Sequence, residues 1–104
     1  MKKTTKKGTN AAPKNGNGKK KVTFTLNTAT GCKVFVAGSF NNWQHRKKEL
    51  KDRENSGNYE CTVLLSPGVH EYKFIIDDAW CIDPENQNFK PNNMGTLNSI
   101  ICVE

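Results

Sequence analysis

A chain of 104 residues, 35% of them hydrophobic and 25% charged, has room for one small domain with a modest core. Its net charge of +6 is unevenly placed: residues 1–21 hold eight lysines and no acid, leaving eight basic against ten acidic residues, or −2, for the rest. No apolar run follows the lysines that would serve as a signal sequence or membrane span. The four cysteines, Cys32, Cys61, Cys81 and Cys102, include no Cys-x-x-Cys or Cys-x-x-His pair of the kind that holds zinc.

The first elements follow from texture. Residues 1–20 are Lys, Thr, Gly and Asn with little apolar content, which reads as a disordered tail, since such a segment cannot offset its ordering entropy by burial. Lysine without interleaved aromatics or arginine is a weak nucleic-acid signal, so the tail reads as solubilising or loosely electrostatic. From Val22 the pattern alternates: Val22-Thr-Phe-Thr-Leu26 is a first strand, and Cys32 to Ala37 a second. Gly38, Ser39, Asn41 and Asn42 then bend the chain and carry it to Trp43, which is followed only by polar and charged residues. An indole is thereby delivered by a buried strand to a polar edge.

Gln44 to Asn58 is charged and reads as a loop around a short strand near Leu50. Tyr59, Cys61, Val63 and Leu65 form the inward face of the next strand, so Cys61 is expected as a buried, reduced thiol. Ser66-Pro67-Gly68 turns into a strand over Val69–Ile76, and Asp77-Asp78 makes a tight turn. A short strand over Ala79–Ile82, an irregular loop over Glu85–Gly95 and a closing strand over Thr96–Val103 complete the chain. Seven or so short strands with turns at these intervals predict an all-β antiparallel sandwich over residues 21–104.

Two tryptophans border polar loops, Trp43 after the second strand and Trp80 after the Asp77-Asp78 turn. Across that hairpin Lys73 falls close to opposite Trp80, and Thr96 and Asn98 share one face of the closing strand. Indole faces suit the apolar C–H faces of a pyranose, while its hydroxyls need both donors and acceptors nearby. Taken singly, each residue also fits an ordinary structural role: a core indole, a snorkelling lysine, a strand-end amide.

Together, Gly38-Ser-Phe-Asn-Asn-Trp43, Gly68-Val-His-Glu-Tyr-Lys-Phe-Ile-Ile-Asp-Asp-Ala-Trp80 and Met94-Gly-Thr-Leu-Asn-Ser-Ile-Ile101 resemble the glycogen-binding domain of the AMP-activated protein kinase β subunit, in carbohydrate-binding module family 48. The resemblance implies an immunoglobulin-like, early-set β-sandwich that binds α-1,4-glucan such as glycogen, starch or maltooligosaccharides, without catalysis or cofactor. It implies stacking on Trp43 and Trp80, a hydrogen-bonding role for Lys73, and completion of the site by Met94, Thr96 and Asn98. Met94 stands where kinase domains usually carry leucine, and Asp77-Asp78 where the family has Asp-Gly. No serine matches the phosphorylated serine of the kinase subunits' charged loop. The chain reads as a small standalone protein whose partner, a glycogen-metabolising enzyme or kinase, is encoded separately.

A glycosidase needs two carboxylates about 5–9.5 Å apart across a cleft, and the adjacent Asp77 and Asp78 do not supply them. His45 and His70 have no nucleophile at recognisable spacing. A protein-interaction sandwich that has lost its sugar, or a scaffold subunit of a kinase-type complex, stays open as the alternative. The thiols suggest a cytoplasmic, reduced protein, with a disulfide between strands as the other option.

Overall fold

The computed structural model describes residues 18–104. The disordered tail expected over residues 1–20 lies outside them except for its last three positions. Among the described residues eight strands follow in order: β1 (Lys20–Asn27), β2 (Val34–Gly38), β3 (Lys48–Leu50), β4 (Asn58–Leu65), β5 (Gly68–Ile76), β6 (Ala79–Cys81), β7 (Phe89–Pro91) and β8 (Leu97–Val103). Among the described residues no helix is long and apolar enough to cross a membrane.

Every strand pair is antiparallel. β1 and β4 make a two-stranded sheet, and the larger sheet runs β3-β2-β5-β8-β7 with β6 also paired to β5. The two layers close on a core to which β1 contributes Phe24 and Leu26, β2 Val34 and Val36, β4 Tyr59 and Leu65, and β5 Tyr72 and Phe74. These are the alternate positions that a period of two assigns to one face. Phe24 reaches across the interface to Tyr72 and Phe74, at ring-centroid distances of 4.9 and 6.4 Å. Each such side chain, fully buried, contributes about 1.5–3 kcal/mol. The architecture is an immunoglobulin-like antiparallel β-sandwich.

Buried hydroxyls fasten the loops to this core. The Tyr59 hydroxyl donates to Ala29 O (2.7 Å) and accepts from Cys32 N (2.9 Å), which pins the turn between β1 and β2. The Tyr72 hydroxyl donates to Asp83 Oδ2 (2.7 Å) and accepts from Asn86 Nδ2 (3.0 Å), and the fully buried Ser99 Oγ accepts from Asp83 N. The long connection after β6 is therefore held from beneath.

Two local differences from the sequence reading stand out. β7 forms within the segment read as an irregular loop: Phe89, Lys90 and Pro91 pair with Ser99, Asn98 and Leu97. Nothing alternates in Asn88-Phe-Lys-Pro-Asn92; its strand character comes from the partner β8, and its proline suits an edge. Ile75, on the polar parity of β5, is 1% exposed. Its register sets it between Phe35 of β2 and Trp80 of β6, so the outer face of the larger sheet has an apolar patch of its own. All four cysteines are free, and burial pushes the Cys61 thiol up to about 11.

Candidate functional site

The outer face of the larger sheet, away from the core, carries Lys73 and Trp80, with Thr96 and Asn98 beside Lys73. β5 is its organiser. One edge of β5 pairs with β8 up to Tyr72↔Ser99, and the same strand pairs with β6 from Phe74↔Cys81 onward. Lys73 stands between the two pairings, with Trp80 diagonal to it on one side and Asn98 next along the register on the other. Trp80 itself lies opposite Ile75, so Lys73 and Trp80 are same-face diagonal neighbours, a little further apart than the hairpin arithmetic suggested.

The turn that carries Trp80 is a two-residue hairpin with Asp77 at φ 48° and Asp78 at φ 71°. Both central residues of such a turn need positive φ, because its twist then matches that of the strands. Asp77 stabilises it by accepting from Lys33 N at 2.9 Å through Oδ1. Asp78 faces the neighbouring loop and takes Arg46 at 2.9 Å. That exposed pair, and His45 with its ring 6.0 Å from the Trp80 indole, bring the β2–β3 loop alongside Trp80. Trp80 remains 46% exposed.

The same loop carries Trp43. Gly38 N donates to Asn41 Oδ1 (3.0 Å), and Trp43 N returns to Gly38 O (2.9 Å), closing the Gly-Ser-Phe-Asn-Asn-Trp segment into a compact turn. Gly38 is required by space: a Cβ there would strike the Glu71 carbonyl oxygen and come within 2.6 Å of the Phe40 ring. The segment's aromatics part company. Phe40 packs on Phe24 (5.7 Å) against the core, while Trp43 is only half-buried. Trp43 holds φ at 58°, a left-handed conformation that is unusual for a bulky side chain. Such strain persists where the surroundings over-determine it, as the Trp43 N to Gly38 O bond does here.

On the other flank, Lys73 Nζ donates to Thr96 Oγ1 at 2.9 Å. Asn98 is 6% exposed, and its amide donates to Glu71 Oε1 (2.9 Å) and accepts from Asn92 Nδ2 (3.0 Å). It is therefore less open to a ligand than a strand-end amide would be. Lys90 lies 3.0 Å from Glu71 Oε2. The Asn98 amide first, and Lys90 second, hold the Glu71 carboxyl below the usual carboxylate range, against a smaller opposing effect of burial. Met94, in the turn before Thr96, is 83% exposed and presents a bare thioether side chain to solvent.

The structure relates the six residues picked from the sequence to different degrees. Lys73, Thr96 and Asn98 join one hydrogen-bonded set, Trp80 borders it, Trp43 belongs to the loop tied to the Trp80 turn, and Met94 rises at the rim. Glu71, Lys90, Asn92 and His45 were not singled out. Their common signal was weak: Glu71 has the outward parity of Lys73, and Asn92 sits in a Pro-Asn-Asn-Met-Gly run read only as loop. Chemically the surface offers an exposed aromatic plane beside ammonium, hydroxyl and amide groups. Among the described residues no three His, Cys, Asp or Glu side chains converge to hold a metal ion.

Residues 20–104 match the family model of the glycogen recognition site of AMP-activated protein kinase. The chain belongs to that family. It is 35% identical over 77 residues to the β-1 subunit of 5′-AMP-activated protein kinase from Sus scrofa, covering 74% of this chain and 59% of that protein. The β-1 subunit of Homo sapiens matches at the same identity over 27% of its length. The β-2 subunit of Mus musculus is 34% identical over 74 residues, 71% of this chain and 26% of its own. The chain therefore spans between about a quarter and three fifths of these relatives. All three motifs quoted above fall within the residues that this family model covers.

Proposed function

We propose that the domain is a non-catalytic carbohydrate-binding module that takes α-1,4-glucan on the outer face of its larger sheet. Trp80 and Trp43 are the stacking platforms, Lys73 and Thr96 supply hydrogen bonds to sugar oxygens, Met94 packs at the rim, and Asn98 supports the polar set from below. The observation that carries the reading is the juxtaposition of a half-exposed indole with the Lys73–Thr96 pair on a rigid sheet, in a chain of the glycogen-recognition family. Stacking hides the apolar face of a pyranose, and the fixed donors set its orientation.

The module works in the cytoplasm in this proposal, and targets or regulates glycogen metabolism by placing a partner on the polymer. That partner is a glycogen-metabolising enzyme or kinase, a reading supported by the relatives' being kinase β subunits. Co-sedimentation with glycogen or insoluble starch tests the first step. The protein is expected in the pellet and is expected to be released by free maltoheptaose. Protein that stays in the supernatant at every polymer concentration would favour the alternative, an interaction sandwich without a sugar.

A further inference from the structure

Asn92 makes every hydrogen bond its side-chain amide can make, and makes all of them inside the site. Its Oδ1 accepts from Met94 N at 2.9 Å and Thr96 N at 3.1 Å. Its Nδ2 donates to Thr96 Oγ1 at 2.7 Å and Asn98 Oδ1 at 3.0 Å. A carboxamide has two lone pairs and two N–H groups, so this one is saturated. Asn92 is half-buried while residues 93–96 are exposed, and the backbone closes over it through Asn92 N to Thr96 O at 2.8 Å. One side chain thereby fixes three residues of the candidate site: Met94, Thr96 and Asn98.

The consequence for Thr96 is specific. Its hydroxyl oxygen accepts from Lys73 Nζ (2.9 Å) and from Asn92 Nδ2 (2.7 Å), which occupies both lone pairs. The one capacity left is its own O–H, as a donor. Lys73 has donated one of its three N–H bonds to Thr96 and keeps the others, and an ammonium accepts nothing. The Lys73–Thr96 pair therefore presents only donors.

We propose that Asn92 is the positioning residue of this site. By saturating its amide on the 92–98 segment it turns Thr96 into a donor aimed at an oxygen of the bound sugar, so the sugar meets Lys73 and Thr96 as an acceptor. The proposal rests on the glucan-binding reading above and assigns the direction of its hydrogen bonds. Asn92 has no free group of its own for the ligand, so its effect is transmitted through Thr96 and Met94.

The test has one arm without ligand and one with it, both on the whole chain. In the free protein, hydrogen exchange at the Met94 and Thr96 amides is compared between the parent and Asn92→Ala, with melting temperature as the control for folding. Exchange at those two amides is expected to rise at least tenfold while the core strands keep their protection. Unchanged exchange overturns the proposal whatever the sugar does. In the second arm, maltoheptaose affinity is measured for Asn92→Ala, Thr96→Val, Thr96→Ser and the Asn92→Ala/Thr96→Val pair.

Losing a single hydrogen bond of this kind lowers affinity about three- to tenfold. Thr96→Val and Asn92→Ala are each expected to show such a loss, Thr96→Ser, which keeps the O–H, to recover most of what Thr96→Val loses, and the double variant to lose no more than the worse single one. Effects that multiply in the double variant, or a Thr96→Val variant that binds as the parent does, would overturn the transmission through Thr96. A parent that fails to bind maltoheptaose would overturn the glucan reading and with it the assigned hydrogen-bond direction; the exchange arm then still decides whether Asn92 orders the turn.

Discussion

At the scale of single residues, two features of the site carry a cost or a titration that can be measured. Asp78 sits at φ 71° in the second central position of its hairpin turn, where glycine is the unstrained choice. A left-handed conformation costs an L-residue about 1–2 kcal/mol, with Asp at the low end, and the exposed pair with Arg46 offsets at most about 1 kcal/mol. Asp78→Gly is therefore expected to change stability by between zero and about 1 kcal/mol in the favourable direction, seen as a melting temperature equal to or a few degrees above the parent's, with Trp80 kept in place. Glu71 supplies the titration. Its carboxyl is held low by Asn98 and then Lys90, so the folded state binds that proton less readily than the unfolded chain. Its contribution is complete above the ordinary glutamate value of about 4.3 and is lost as pH falls through the lowered folded value. Melting temperature should therefore fall as the pH drops from the ordinary glutamate range through the lowered folded value, and Glu71→Gln should remove that part of the acid limb.

The elements show what a sequence reveals and what it withholds. β1, β4 and β5 alternate cleanly, and the residues their parity sends inward, Phe24, Leu26, Tyr59, Tyr72 and Phe74, are the ones that form the core. Phe24→Ala, which removes the ring bridging the two sheets, should cost about 3–5 kcal/mol in chemical denaturation. The Gly38–Trp43 segment was legible as a turn because Gly, Ser and Asn have local reasons to bend. Its tightest demand was not legible: Gly38 is small because the Glu71 carbonyl of the adjacent strand passes over it. Gly38→Ala should cost about 1–3 kcal/mol through that overlap, and should loosen the Ser39–Glu71 hydrogen bonds that dock the Trp43 loop. β7 was missed for a related reason. Its pairing is specified by β8, and a three-residue edge strand ending in proline has no pattern of its own.

The candidate site divides in the same way. Trp43, Lys73, Trp80, Thr96 and Asn98 could be chosen because aromatic planes and polar groups at strand borders are visible in one dimension. The network beneath them joins residues far apart in sequence: Glu71 to Asn98, Lys90 to Glu71, and His45 to Trp80. Such pairs depend on register and on which strand edge is shared, and those are set only when the sheet has formed. The burial of Asn98 is one result. Its amide was picked as a surface group, and β7 with the Asn92 turn covers it.

At the scale of the whole molecule, charge and binding separate. Six lysines and no acid precede β1, whereas residues 20–104 hold ten basic and ten acidic residues, so the chain's net positive charge lies ahead of the folded part. Attraction of that charge to a polyanion weakens steeply with salt, because counterions are released, whereas hydrogen bonds and stacking to neutral sugar respond little. Removing residues 1–17, all ahead of β1, should leave both glucan affinity and melting temperature unchanged, while affinity for an anionic polymer falls. A truncated chain that no longer holds glucan would place the tail in the site. The central claim, that this face of the sheet binds glucan, is tested most directly by calorimetric titration of maltoheptaose into the parent and into Trp80→Ala, with melting curves of both. A stacked sugar ring covers about 60–100 Å² of apolar surface, worth about 1.5–2.5 kcal/mol. A folded Trp80→Ala variant is therefore predicted to bind about ten- to seventyfold more weakly. A variant that melts like the parent and binds maltoheptaose equally well would contradict it.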